Sequence, residues 1–389
     1  MRPALDVAGI ELRDPALQPV KQTLAAGGRI DSAQALACLQ TRDVFGLAAL
    51  AHATKRQLHG DRVSYVLNRQ LNPTNVCYLS CSFCDFAAKP GDEHAYELGE
   101  SAIRQAISGA IREIHIVGGL HPRWKFEDYL DIVRLVRRER PDLQIKAYTA
   151  VEIDFFARKA KLSLRETLLA LREAGVDTLP GGGAEVFSER VRQQLFPHKI
   201  GAERWLEVHQ TAHALGIPTG ATLLYGHIET AAERASHLLR LRDAQDASGG
   251  FRAFIPLAHQ PGPAAQAGSS GHRNGEAELP TTPTASLDDL RMIATSRLVL
   301  DNVAHIKAYW IMLGLASAAC ALSAGASDLD GTVGRERIAH AAGAATPEEL
   351  ARAQLEQLIR DAGAVPVERD ALYRPVASCT TPVATGRAA

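Results

Sequence analysis

The sequence predicts an α/β protein built on a TIM-type (β/α) barrel, partial or complete, with helices added before it and an α-rich extension after it. Two observations carry this prediction. Strand-like segments alternate with amphipathic helical runs along most of the chain, which implies parallel strands joined by helical crossovers. Glycines also stand at successive strand ends: Gly118 and Gly119, Gly181 to Gly183, and Gly226. In a barrel the working site lies at the C-terminal ends of the strands, and glycine permits close approach of backbone to a ligand there. A chain of 389 residues, 46% hydrophobic, can bury one large core or two modest ones.

The elements follow in order. Residues 1–60 carry helical periodicity in runs such as AQALACLQ and DVFGLAALAHAT. VSYVLNRQLN (63–72) alternates apolar positions and opens the barrel core, expected over 61–310. Further strands are expected at EIHIVGG (113–119), LQIKAYTA (143–150), VDTLPGGG (176–183), PTGATLLYG (218–226), FRAFIPLA (251–258) and AHIKAYW (304–310). Between them lie helical runs such as FEDYLDIVRLVRRERP and SERVRQQLF. Residues 261–285, rich in Gly, Pro, Ala and Ser, read as a flexible loop. A helical extension is expected over 311–373 and a disordered tail over 374–389.

Composition excludes several functions. A formal net charge of −1 gives no global field to draw the chain to nucleic acid. No apolar run approaches the length of a membrane span, and no N-terminal leader is evident. Three clustered cysteines with three scattered ones argue against a disulfide framework and for a reducing, cytoplasmic setting.

The chemistry is concentrated in NVCYLSCSFCDF, where Cys77, Cys81 and Cys84 are separated by three residues and then two. Three thiolates on one short loop can ligate three irons of a 4Fe-4S cubane and leave the fourth iron open to a small molecule. The competing reading is a zinc half-site in a zinc-stabilised binding module. Zinc sites usually pair C-x2-C with a second Cys or His pair, and none stands out here. Cys38, Cys320 and Cys379 are isolated and read as ordinary small apolar side chains. Phe83, just before the last cysteine of the triplet, places a ring beside the site.

This loop closely resembles that of the radical S-adenosylmethionine (SAM) enzymes. Over most of residues 40–373 the chain resembles the aminofutalosine (aminodeoxyfutalosine) synthase family of the futalosine route to menaquinone. The motifs are NPTNVCYLSCSFCDF, IVGGLHP, YTAVEI, LPGGGAEVF, ATLLYGHIET, FIPLAHQP, HIKAYWIMLG, DLDGTV and VERDALY. Sister families, the cyclic dehypoxanthinylfutalosine synthases and the aryl transferases of deazaflavin synthesis, look alike around the cysteines. They tend towards a PGTAAE-like segment where this chain has PGGGAE at 180–185.

The resemblance implies a cluster on Cys77, Cys81 and Cys84, with SAM on the open iron and consumed as co-substrate. The second substrate it implies is 3-[(1-carboxyvinyl)oxy]benzoate, with flavodoxin or ferredoxin as electron donor. Phe83, Gly118, Gly119, Glu152, Glu185, Arg204 and Glu229 are the expected SAM and cluster contacts. Any one of these glutamates could equally be a helix-starting residue favoured by the dipole. Glu185, His227 and Lys307 are the expected catalytic residues, with His305 a further polar candidate at a strand end. Arg204, Arg297 and Lys307 are the expected cations for the two substrate carboxylates.

Overall fold

The computed structural model describes residues 3–262 and 279–376. The central part of the 261–285 loop, most of the tail and Cys379 lie outside the described residues.

Among the described residues, nine parallel strands form the sheets: β1 (Arg62–Val66), β2 (Asn68–Leu71), β3 (Glu113–Ile116), β4 (Gln144–Ala147), β5 (Thr219–Tyr225), β6 (Phe251–Ala258), β7 (His305–Ile306), β8 (Asp328–Gly331) and β9 (Val365–Glu368). They are assigned to three sheets, β2-β3-β4, β5-β6-β7 and β8-β1-β9. Single backbone bridges join these into a circuit. Lys146 pairs with Thr178, Leu179 with Thr219, Lys307 with Asp328, and Arg69 with Gly334. The segment around Thr178 and Leu179 therefore acts as a stave between β4 and β5. Gln70 N–H donates to Gly334 O at 2.8 Å, which returns the circuit to β2. The barrel is closed.

The eighth stave, β8, lies beyond the expected core boundary at 310. Its sequence, DLDG, has no apolar alternation because its carboxylates meet cations inside the barrel: Arg369 Nε donates to Asp328 Oδ2 at 2.5 Å and Lys307 Nζ to Asp330 Oδ1 at 2.6 Å. β9 carries Pro366 and, at the end of the order β8-β1-β9, pairs with β1, as a proline-bearing strand at a sheet edge should. The expected extension thus adds two strands to its helices, Leu315–Leu322 and Arg352–Asp361.

The N-terminal helices form as read. Ser32–Gln40 starts from an Asp31/Gln34 capping box. Val44–His59 starts from Asp43, whose carboxylate accepts from Gly46 N at 3.0 Å, and packs on the helix Ser286–Val299. Crossover helices bury one stripe, as in Phe126–Glu139, where Phe126, Tyr129, Leu130, Val133 and Val136 face the barrel. Tight staves need small residues. A Cβ on Gly181 would lie 2.4 Å from the Cα and N of Ala221 on β5.

Candidate active site

The loop after β2 carries the three cysteines over the C-terminal end of the barrel, where all three line one cavity of about 350 Å³. Backbone bonds fix the loop: Cys77 N–H to Ala88 O at 2.9 Å, Tyr78 N–H to Leu120 O at 3.0 Å and Ser82 N–H to Leu195 O at 2.8 Å. Lys89, unforeseen in the sequence, clamps it by donating to Leu79 O at 2.6 Å and Cys77 O at 3.1 Å. Gly119 does not line the cavity but backs this loop, since a Cβ there would lie 2.3 Å from Val76 O.

Burial pushes the Cys81 thiol up to about 12 and also raises that of Cys84, with Lys199 pulling both the other way. Iron ligation would strip those protons. Among the described residues, no three His, Cys, Asp or Glu side chains converge on a point fit for a single metal ion. A cubane asks something different of its donors, one thiolate to each iron, and three cysteines lining one cavity supply that many. Phe83 meets Phe196 edge-on, with ring centroids 5.9 Å apart, and Lys199 Nζ sits 5.2 Å from the Phe83 centroid.

Glu152 sits at the third position of the helix Ala150–Ala160, where the sequence placed a helix-starting glutamate, and its carboxyl also lines the cavity. Its oxygens accept from Thr149 N and Oγ, each at 2.7 Å, and from Gly118 N at 3.0 Å. Burial nevertheless outweighs these bonds and pushes it up to about 7. Glu152 thus caps its helix and lines the cavity at once.

Glu185 has a positive φ of 46° and lines the cavity in an ion pair with Lys199. Burial works against the Lys199 charge, but Glu185 and Cys81 hold the ammonium above its ordinary range. Lys307 also lines the cavity, buried, and is raised in the same way by Asp330. Lys199, Lys146, His115, Asp330, Tyr309 and Tyr373 are among the other polar residues of the lining. Sequence reasoning passed over all six, although Lys146 and His115 alternate with apolar residues inside strands that it located.

Besides Gly119, five expected site residues lie outside the cavity lining. Arg204 is engaged by Asp154 at 2.7 Å and Glu207 at 2.8 Å on a partly exposed helix face. The Glu229 side chain is fully buried, accepts from Gly226 N at 2.6 Å and His227 N at 2.9 Å, and pairs with Arg234. Burial opposes its charge, yet His227 and Arg234 hold it down to about 2. His227 Nε2 lies 3.0 Å from Leu224 O, so this pair shapes the turn after β5. Arg297 is buried against the carbonyls of Gly325, Val303 and Ala304, and His305 stacks on Tyr373 at 4.5 Å.

Family models match the chain in two parts: the radical SAM superfamily over residues 71–241 and the CofH/MqnC C-terminal region over 248–381. The aminodeoxyfutalosine synthase of Thermus thermophilus is 44% identical, covering 94% of this chain and 97% of that protein. The chain belongs to the aminodeoxyfutalosine synthase family of radical SAM enzymes.

The aminodeoxyfutalosine synthase of Streptomyces coelicolor is 39% identical over 91% of this chain and 92% of its own length. A cyclic dehypoxanthine futalosine synthase from the same organism is 36% identical over 92% of this chain and 88% of its own. The solved methylornithine synthase superposes with a TM-score of 0.67 at 17% identity, covering 89% of this chain and 96% of that one, which establishes the shared fold. For a radical SAM enzyme, the family implies a 4Fe-4S cluster and SAM, and the three cysteines of the cavity have the donor chemistry for the cluster. As a member of the aminodeoxyfutalosine synthase family the protein is a transferase of menaquinone biosynthesis. Among the described residues no helix is long and apolar enough to cross a membrane.

Proposed function

We propose that the enzyme joins the 5′-deoxyadenosyl group of SAM to 3-[(1-carboxyvinyl)oxy]benzoate. C5′ bonds to the vinyl carbon of the enol ether and the aryl group migrates. The enolpyruvyl carboxylate is then lost and takes up water to leave as bicarbonate and a proton, returning the electron spent on SAM so that the net reaction is redox-neutral. The products are 6-amino-6-deoxyfutalosine and methionine. The observation carrying this reading is the near-full-length identity to the Thermus enzyme, higher than to the futalosine-cyclising sister.

Cys77, Cys81 and Cys84 would hold the 4Fe-4S cluster, which when bound supplies the electron that cleaves the S–C5′ bond of SAM. Glu152 would accept hydrogen bonds from the ribose or ammonium of SAM beside Gly118. Glu185 and Lys199 set a paired charge next to the thiols, and Phe83 contributes about 0.5–1.5 kcal/mol of ring packing beyond burial. Leu79, Val117, Val151, Leu179, Ile255 and Leu257 line the same cavity, and an apolar wall keeps water from a reactive carbon centre. Lys307, held by Asp330, remains the proposed catalytic cation. His227 and Glu229 become positioning residues for the turn after β5. Flavodoxin or ferredoxin is the proposed electron donor, and the cytoplasm the proposed setting for exposed cluster chemistry.

The test is anaerobic incubation with SAM, a reductant and the enolpyruvyl benzoate, followed by mass spectrometry. One adduct retaining the whole adenosyl unit is expected. Free 5′-deoxyadenosine as the only nucleoside derived from SAM would favour a hydrogen-abstracting sister reaction instead.

A further inference from the structure

Inside the barrel, one row of residues is polar. Gln70 on β2, His115 on β3 and Lys146 on β4 are register neighbours, and Lys146 pairs onward with Thr178. All four line the cavity. The cysteine loop begins only after β2 has ended, so this row lies within the barrel, below the rim that carries the thiols.

The row offers donors that the protein leaves unused. His115 Nε2 has no hydrogen-bond partner among the described residues. Lys146 Nζ donates to Glu113 Oε1 at 2.7 Å, which uses one of an ammonium's three N–H groups. Of the other cations that line the cavity, Lys307 and Lys199 sit in ion pairs and Arg252 is exposed. Lys307 Nζ lies 2.6 Å from Asp330 and 3.8 Å from Asp328, and Lys199 is paired with Glu185. Around the row, the carboxylates of Glu113, Asp328 and Asp330 are matched by Lys146, Lys307 and Arg369. These groups balance three against three, with Glu113 Oε2 lacking a hydrogen bond among the described residues, so the row is close to neutral before an anion enters.

We propose that His115 and Lys146 form a carboxylate-binding subsite that takes the ring carboxylate of an aryl enol ether and selects carboxylated over neutral aryl substrates. The proposal rests on the reaction proposed above. Bond formation belongs at the rim, beside the thiols. The enolpyruvyl carboxylate is attached to the reacting double bond and stays near that rim. The ring carboxylate projects away from it, and the interior row presents donors at that depth. A carboxylate taken out of water needs charge-assisted partners, and the ammonium with an imidazole N–H supplies two.

The test compares binding of 3-[(1-carboxyvinyl)oxy]benzoate with that of its analogue lacking the ring carboxylate. Calorimetry is run on cluster-reconstituted, SAM-loaded, unreduced protein. The wild type is expected to prefer the benzoate, and His115→Leu to shrink that preference by about 10- to 100-fold, the loss of one hydrogen bond to a charged group. His115→Gln, which keeps a donor, should restore most of it. Lys146→Met combined with Glu113→Gln should shrink it as well, without stranding a buried charge. Equal weakening of both ligands in His115→Leu, or a wild type without preference, would overturn the subsite. The assay needs no turnover, so its result is separate from whether the adenosyl adduct forms.

Discussion

Replacing any one of Cys77, Cys81 or Cys84 with alanine should leave protein that folds but retains little iron and sulfide after anaerobic reconstitution. Each thiolate is expected to hold one iron, so the effect is all-or-none, whereas Phe83→Leu should only tune turnover by roughly threefold to tenfold, the value of ring packing. Iron analysis beside turnover separates the two. Glu152 makes a second prediction at this scale. Its carboxyl is raised from 4.5 to about 7 by burial, so the folded state favours the protonated form. The resulting stability is complete below about pH 4.5 and fades as pH rises through 7, by about 3 kcal/mol. Glu152→Gln should flatten the melting temperature across that window. An unchanged slope would mean that Glu152 is ionised throughout it.

At the scale of elements, glycines set how closely staves and loops approach. Gly181→Ala would drive a Cβ into the backbone of β5 and should cost about 1–3 kcal/mol by overpacking, read as a lower denaturation midpoint. Gly119→Ala would press on Val76 O behind the cysteines, so its larger effect should be on iron retention. The strands from 63–72 to 304–310 were legible because apolar residues alternate within them or run unbroken. β8 was not, because DLDG reads as a turn until Lys307 and Arg369 are placed beside its carboxylates. The cysteine loop was legible from spacing alone. His115 and Lys146 were not, because an inward polar residue on a barrel strand looks like the solvent side of a half-buried one. Arg204, Glu229 and Arg297 misled for the converse reason: a charged residue near a strand end reads the same whether it faces a ligand or pairs with a neighbour.

For the whole molecule, closure of the barrel depends on residues beyond 310. β8 supplies the last stave and Arg369 neutralises Asp328 inside it, both fully buried. A chain ending at residue 310 should therefore show no cooperative unfolding by circular dichroism. Arg369→Met in the full chain should lose about 3–5 kcal/mol, the cost of leaving a buried carboxylate with a missing partner. A truncated chain that melts cooperatively would contradict the closed circuit of pairing described above. A cluster held by Cys77, Cys81 and Cys84 alone would leave one iron open to SAM. Electron paramagnetic resonance of the reduced, reconstituted protein tests it most directly: adding SAM should shift the spectrum, and a spectrum indifferent to SAM would contradict the account.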